Sequence, residues 1–522
     1  MFLTISLSLI FLLFILHCLI RYGRVRKILH HIPGPKAYPI IGNMYHLQVN
    51  NEHILKKLWK MNEKFYPIYN IWTFFISIVI ILQPEDVEVL LKSTKHMEKN
   101  TPYKYLQPWL STGLLTSAGT KWQNRRKILT PAFHFNILEH FVVVFNEETR
   151  SLVKSLKEER KGAAVVKNVQ QLIRKHALNM ICETALGIRL DEMGEMESKY
   201  RDAVHTFGKI VSYRIVRPWY HFDAIFAFSS YGRLQKKLIK TLHDFSKKII
   251  AERKNFHEDT NWKYLQNVTN MNENGILSKE SNDNNNYTKK RLALLDLLIA
   301  SSLNDNQIDE KGIQEEVDTF MFAGHDTTAS ALSFALSLFA KHKDVQERIR
   351  EEVNTIMKEE NNELTILELQ KLSYLEMCIK ESLRLYPSVH AIFRHISQDL
   401  QLKNYLIPTG AICHVNIHSI HRNPKYWPNP NVFNPDRFLP ENMKGRNLYS
   451  YIPFSAGSRN CIGQKYAMLE LKIMVAHILH NFYVESVDEL DDVQMIGDLT
   501  LHPFKPLRLK FTPIKQNESY MI

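Results

Sequence analysis

The 522-residue chain is predicted to be mainly α-helical with a minor β-sheet region, one large domain behind a single N-terminal transmembrane helix. Three observations predict this. Apolar residues recur at helical spacing through long runs such as Gly312–His342 and Glu368–Tyr386. Ile71 to Leu82 (IWTFFISIVIIL) is apolar but only 12 residues long and rich in β-branched and aromatic side chains, which suits one or two buried strands. Phe2 to Ile20 is a run of 19 residues with no acidic or basic side chain except His17.

That run is close to the ~20 residues a helix needs to cross a hydrocarbon core. Arg21, Arg24, Arg26 and Lys27 follow it and no charge precedes it, so the positive-inside rule places the bulk of the protein on the cytosolic side. A cleaved signal peptide is the alternative, but a basic leading region and a small-residue cleavage site before Arg21 are both missing. The sequence therefore divides into an anchor (1–20), a basic and proline-rich hinge (21–40) and a globular remainder (41–522). Pro33, Pro35 and Pro39 stiffen the hinge by fixing φ. Within the remainder, 254–290 is polar, with Asn282-Asp283-Asn284-Asn285-Asn286 at its centre, and reads as a surface loop or disordered insert. It carries two glycosylation sequons, Asn267-Val268-Thr269 and Asn286-Tyr287-Thr288, which a cytosolic face would leave unmodified.

Composition narrows the function classes. An apolar share of 45% and a charged share of 23% describe an ordinary globular protein with ample core. The net charge of +13 suits an anionic membrane or an acidic protein partner. Nucleic acid is disfavoured because no dense basic run with interleaved aromatics occurs beyond the N-terminal flank. The five cysteines, Cys18, Cys182, Cys378, Cys413 and Cys461, are scattered without CxxC spacing, which supports neither a disulfide framework nor a zinc site.

Chemistry concentrates near the C-terminus, where Phe454-Ser455-Ala456-Gly457-Ser458-Arg459-Asn460-Cys461-Ile462-Gly463 joins a loop to an apolar-periodic helix. Gly457 permits a tight turn, and Gly463 lets the backbone approach a flat ligand. Cys461 lies just before a helix start, where free N–H groups and the dipole favour a thiolate. Arg459 offers a permanent cation to a carboxylate. The other four cysteines read as small buried hydrophobes.

Phe454, Gly457, Arg459, Cys461 and Gly463 together resemble the haem-binding loop of the cytochrome P450 superfamily, F-x-x-G-x-R-x-C-x-G. The resemblance implies the single large fold of that family, with haem b (iron protoporphyrin IX) bound through its iron to Cys461. Further motifs follow in the family's order. Glu381-Ser382-Leu383-Arg384 resembles its ExxR helix, whose i,i+3 side chains share a face. Pro435-Asp436-Arg437-Phe438 resembles its PERF-like segment, with Asp where Glu is usual. The resemblance implies a buried structural triad of Glu381, Arg384 and Arg437. Ala323-Gly324-His325-Asp326-Thr327 resembles the helix motif that crosses the distal haem face. It implies that Thr327 hydrogen-bonds dioxygen and that Asp326 helps relay protons, both being catalytic. Thr327 also favours monooxygenation over the peroxide rearrangements of relatives that lack it. As bare structure, Gly324 beside two threonines reads as a local opening or kink of the helix. Trp122-Gln123-Asn124-Arg125-Arg126 resembles the family's W-x-x-x-R helix, and Arg394 its strand arginine, which implies that Trp122, Arg126 and Arg394 face the haem propionates.

The wider match, from about Pro33 to Leu509, is similar to the fourth family, which includes microsomal fatty-acid ω-hydroxylases and many insect enzymes. Many of those have Glu where this chain has Ala323, and there the carboxylate can esterify the haem; with alanine no covalent ester is expected. The implied reaction is insertion of one atom of O2 into an apolar substrate, a fatty acid, hormone, pheromone or xenobiotic. No dinucleotide fingerprint is fused to the chain, so the implied electron source is NADPH-cytochrome P450 reductase of the endoplasmic reticulum, with cytochrome b5 as an optional partner. Arg125, Lys127 and Lys465 are candidates for the docking face, solvated surface charge being the alternative. Tyr103–Leu110 and Arg214–Phe228 fall where the family places its pocket loop and access helices. For the second segment, core packing and a membrane-dipping patch both remain open.

Overall fold

The computed structural model describes residues 23–38, 41–47, 51–73, 76–190, 193–262, 293–304, 307–357 and 363–514, with isolated positions 5–8, 10–12, 14–15, 49 and 265. Of the anchor expected over Phe2–Ile20, ten of the nineteen residues fall outside these residues. Among the described residues no single helix is long and apolar enough to cross a membrane. Both sequons also lie outside them. The hinge is fastened to the domain: the Asn70 amide donates to the Pro33 carbonyl at 2.9 Å, and Asn43 Nδ2 donates to that of Pro35 at 2.8 Å.

Helices dominate. In chain order, α1 (Asn51–Lys64) precedes β1 (Ile68–Thr73) and β2 (Ile76–Ile81), an antiparallel pair made from the β-branched run. Next come α2 (Pro84–Lys92), α3 (Gly119–Leu129), α4 (Phe135–Glu158), β3 (Val165–Asn168), α5 (Val169–Ala185), α6 (Glu195–Ile215) and α7 (Ser230–Asp259). Because α7 runs through Asp259, the polar stretch expected from 254 begins later. Arg253 and Lys254 hold the end of α7 in place through Asp296 at 2.7 Å and Glu310 at 2.5 Å. Residues 266–292 lie outside the described set.

The axis of the molecule is α9 (Glu310–Lys341), which follows α8 (Leu294–Asn304). Asp309 caps it by accepting from the Gly312 amide at 2.8 Å. It is buried along most of its length, and the buried residues include the polar Glu315, Glu316, Asp318, His325 and Asp326. The helix continues through Gly324 without a break. A Cβ there would lie 2.5 Å from Ile181, so the glycine lets α5 cross close by. The run expected over Glu368–Tyr386 is in fact two helices, Ile366–Lys371 and α11 (Ser373–Leu385), after α10 (Lys343–Ile356). The break is stabilised by Glu352 of α10, whose carboxylate accepts from the amides of Tyr374 and Leu375 at 2.7 and 2.8 Å.

β4 (Ile392–His395) and β5 (Ile412–Val415) complete a four-stranded sheet of order β1-β2-β5-β4. α12 (Gln464–Asn481) is followed by β6 (Phe482–Ser486), the hairpin β7 (Met495–Gly497) and β8 (Leu501–Pro503), and β9 (Arg508–Pro513), which joins β3 and β6.

Candidate active site

The cysteine loop is closed by its own backbone. The Cys461 amide donates to the Phe454 carbonyl at 2.9 Å, and that of Asn460 to Gly457 at 3.1 Å. Phe454 itself packs half-buried against the main core. Gly457 is required twice: its φ is +71°, and a Cβ would stand 2.0 Å from the Leu91 carbonyl oxygen of α2. Gly463 differs. Its Cβ position has nothing nearer than Phe133 Cε1 at 3.8 Å and Cys461 Sγ at 4.0 Å, so its bare side and the sulfur open onto one space. Cys461 lies deep in the protein yet its side chain is exposed, whereas Cys182, Cys378 and Cys413 are buried in packed core. Burial pushes the Cys461 thiol up, opposed by the Gly463 amide and the charges of Arg126 and Lys99.

Four cations converge beside this thiol. Arg126 of α3 donates to the Asn460 carbonyl at 3.0 Å and to its side-chain oxygen at 2.9 Å. Arg459 lies 4.7 Å over the Trp122 ring and donates to the Ser117 carbonyl at 2.9 Å, while its Nε and Nη1 are buried without a partner. Arg394 of β4 is buried and donates to its neighbour Phe393 at 2.9 Å. The fourth is Lys99, in the loop after α2, held well below the usual lysine range by burial and by Arg459 and Arg394. Burial, then Arg394, push Arg459 down to about 9. Among the described residues no carboxylate neutralises any of the four. Buried like charges without a counter-ion are costly, so this cradle suits a ligand bearing more than one carboxylate. Nothing in the sequence marks Lys99, one of several lysines in a polar loop.

Behind the loop, Glu381 and Arg384 of α11 are fully buried and paired through Nε–Oε2 at 2.6 Å and Nη2–Oε1 at 2.8 Å. Arg437 Nε stands 3.3 Å from the same carboxylate. The remaining Arg384 donors reach the carbonyls of His421, Pro430 and Val432. His421, which the sequence did not single out, ties this cluster to the loop: its Nε2 accepts from the Ile452 amide at 2.8 Å.

On the opposite side, Ala323, Gly324 and Thr327 are the half-exposed residues in the otherwise buried stretch Glu315–Ala340 of α9. The Thr327 hydroxyl donates to the Ala323 carbonyl at 2.7 Å. Phe133 links the two walls, stacking with Phe320 of α9 at 5.7 Å and bordering the bare side of Gly463. Asp326 points elsewhere. It is buried and accepts from Thr500 Oγ1 at 2.8 Å, with Arg174 at 3.5 Å and His502 at 3.7 Å. Burial pushes its pKa up, but His502, Arg174 and His325 outweigh that and hold the carboxyl well below its usual range.

Arg125 is not on the surface. It is buried and stands 3.6 Å from Glu316, whereas Lys127 and Lys465 are exposed. Of the apolar segments, Trp109 packs its edge on Phe207 of α6 and Phe322 of α9, at 5.2 and 5.3 Å. Arg214 is sandwiched between Tyr105 and Phe226, at 4.4 and 4.1 Å. Within Arg214–Phe228, Phe226 is core while Phe222, Ile225 and Phe228 are exposed.

The family model described as Cytochrome P450 matches residues 32–511. Cytochrome P450 4c3 of Drosophila melanogaster is 40% identical over 500 residues, covering 94% of this chain and 91% of that protein. Cytochrome P450 4V2 of Rattus norvegicus is 38% identical over 503 residues, 96% of this chain and 93% of its own. Cytochrome P450 4c21 of Blattella germanica is 38% identical over 515 residues, 97% and 98%. These relatives are family 4 members, and the enzymes of this family are oxidoreductases that hold haem through a cysteine. The chain belongs to the cytochrome P450 family of haem-thiolate monooxygenases.

Proposed function

We propose that the protein is a membrane-anchored monooxygenase in which Cys461 is the axial ligand of haem b. It inserts one atom of O2 into an apolar substrate such as a fatty acid, hormone, pheromone or xenobiotic. The observation that carries this is the cradle itself: a deep but open thiol beside four cations that lack an acidic partner. A haem fits it, because two propionates supply the missing negative charge and a flat macrocycle suits the bare side of Gly463. A coordinating metal ion also deprotonates a thiol outright, overcoming the upward push of burial.

Bound there, the haem supplies the chemistry of O2 activation, helped by thiolate donation. The chain does the rest. Arg126, Arg394, Arg459 and Lys99 hold the propionates, and Trp122 supports Arg459. Phe454 and Gly457 shape the loop. Glu381, Arg384 and Arg437 brace it from behind. Thr327 offers its hydroxyl to the distal side, and Asp326 governs proton supply through its surroundings. Ala323 offers no carboxylate, so haem is retained by Cys461 and non-covalent contacts.

Electrons come from NADPH through its cytochrome P450 reductase, with cytochrome b5 as an optional partner, at the face bearing Lys127 and Lys465. The residence is the endoplasmic reticulum membrane with the catalytic domain cytosolic, supported by Phe2–Ile20 and the basic flank after it. The exposed Phe222, Ile225 and Phe228 suit substrate entry from the bilayer. The test is reconstitution with reductase, NADPH and a panel of fatty acids. Hydroxylated product requiring all three components supports the reading. Turnover without reductase would point to an isomerase instead.

A further inference from the structure

Glu315 and Glu316 are adjacent on α9 and buried, at 4% and 0% exposure. Both reach toward the loop 111–118, which runs into α3. Glu316 Oε2 accepts from the Leu114 amide at 3.0 Å, and Glu315 Oε1 from the Thr112 hydroxyl at 3.0 Å. Beyond the loop, on α3, Lys121 Nζ donates to Glu315 Oε2 at 2.7 Å, and Arg125 Nε stands 3.6 Å from Glu316 Oε1. Gly113 lets the loop lie close on α9, since a Cβ there would stand 2.6 Å from the Glu315 carbonyl oxygen.

The segment between these four attachments is the one that holds Arg459. The Arg459 guanidinium donates to the Ser117 carbonyl at 2.9 Å and lies 4.7 Å over the Trp122 ring. Thr112 and Leu114 are fastened before Ser117, and Arg125 after Trp122. Arg459, whose Nε and Nη1 are buried without a partner, is therefore placed by a segment that α9 grips at both ends. A cleft of about 400 Å³ is lined by Thr112, Ser117 and Lys121 of this segment and by Lys99 of the cradle. A segment that swung outward would open the cradle into it.

We propose that Glu315 and Glu316 are positioning residues for the haem, clamping residues 112–125 so that Arg459 keeps its place in the cradle. This rests on the haem reading of the cradle. Burial pushes Glu316 up to about 7, opposed by the Leu114 amide and Arg125. Its Oε2 accepts from that amide in either protonation state, so the clamp needs the oxygen rather than the charge. Glutamine in its place keeps the tether, and leucine loses it.

The experiment follows haem transfer from the holoenzyme to an apo-globin acceptor, with the propionate bending band in resonance Raman as a second readout. Glu316→Leu is expected to release haem about tenfold faster than wild type and to shift the band, while Glu316→Gln stays within about twofold. Gln346→Leu cuts buried hydrogen bonds between α10 and Val484 of β6 and controls for lost stability. It is expected to lower the thermal midpoint and leave the release rate unchanged. A wild-type rate and band in Glu316→Leu would overturn the clamp. So would Glu316→Gln or Gln346→Leu releasing haem as fast as Glu316→Leu. Should Glu316→Leu not fold, the half-exposed Thr112 decides: Thr112→Val is expected to speed release about threefold, and an unchanged rate overturns the clamp. A wild type that takes up no haem at all would instead overturn the haem reading on which the clamp rests.

Discussion

Glu381 and Arg384 meet in a fully buried bidentate pair, with nitrogen–oxygen distances of 2.6 and 2.8 Å. Glu381 also faces Arg437, so its removal strands two guanidinium groups in the interior. Breaking such a pair from one side typically costs about 3–5 kcal/mol. Glu381→Ala is expected to lower stability by that order and to yield protein depleted of haem. Chemical unfolding and the haem-to-protein ratio check this, and near wild-type values in both would contradict it.

Lys99 is one of the four basic side chains of the cradle. A hydrogen bond to a charged group contributes about 1.5–3 kcal/mol, which corresponds to roughly tenfold or more in affinity. Lys99→Met is expected to speed haem transfer to an apo-globin acceptor by about that factor. An unchanged release rate would remove Lys99 from the site.

Ala323 lies half-exposed on the wall formed by α9 and has no group able to form an ester. All haem is therefore expected to leave the wild-type protein in acidified organic solvent. Ala323→Glu is expected to retain a covalently bound fraction after turnover. Mass spectrometry of the denatured chain reads both, and a haem adduct on the wild type would contradict the account.

Acid is expected to destabilise the sheet side of the molecule. Burial depresses His390 to about 4 and His414 and His421 to about 3, against about 6.5 in the unfolded chain. Their neutral forms belong to the fold, so stability is complete above pH 6.5. It is lost as pH falls from 6.5 toward 3, each histidine adding a slope of up to about 1.4 kcal/mol per pH unit. His421 makes this local, because charging it removes the acceptor for the Ile452 amide at the root of the cysteine loop. Unfolding midpoints at pH 7 and pH 5 measure the effect; equal values would refute it.

The legible features were those fixed by short-range pattern. The β-branched run at Ile71–Leu82 became β1 and β2, and the long periodic run became α9. The cysteine loop was readable because Gly457 answers to a local backbone need, a positive φ. The partnerships of Lys99, His421, Thr500 and His502 were not, since each joins segments far apart in the chain and has no local signature. Arg125 misled for the same reason. Asn124 and Lys127 beside it on α3 are exposed, but Glu316, distant in sequence, draws it inside. Gly324 and the threonines looked like a helix defect because the chain pattern does not reveal Ile181 of α5 pressing on that spot.

The central claim is that Cys461 binds the haem iron through sulfur. It is tested most directly by the absorption spectrum of the dithionite-reduced protein under carbon monoxide, wild type against Cys461→His. The account predicts the red-shifted Soret band characteristic of thiolate ligation in the wild type and its loss in the variant. Persistence of that band in Cys461→His, or its absence from haem-loaded wild type, would contradict it.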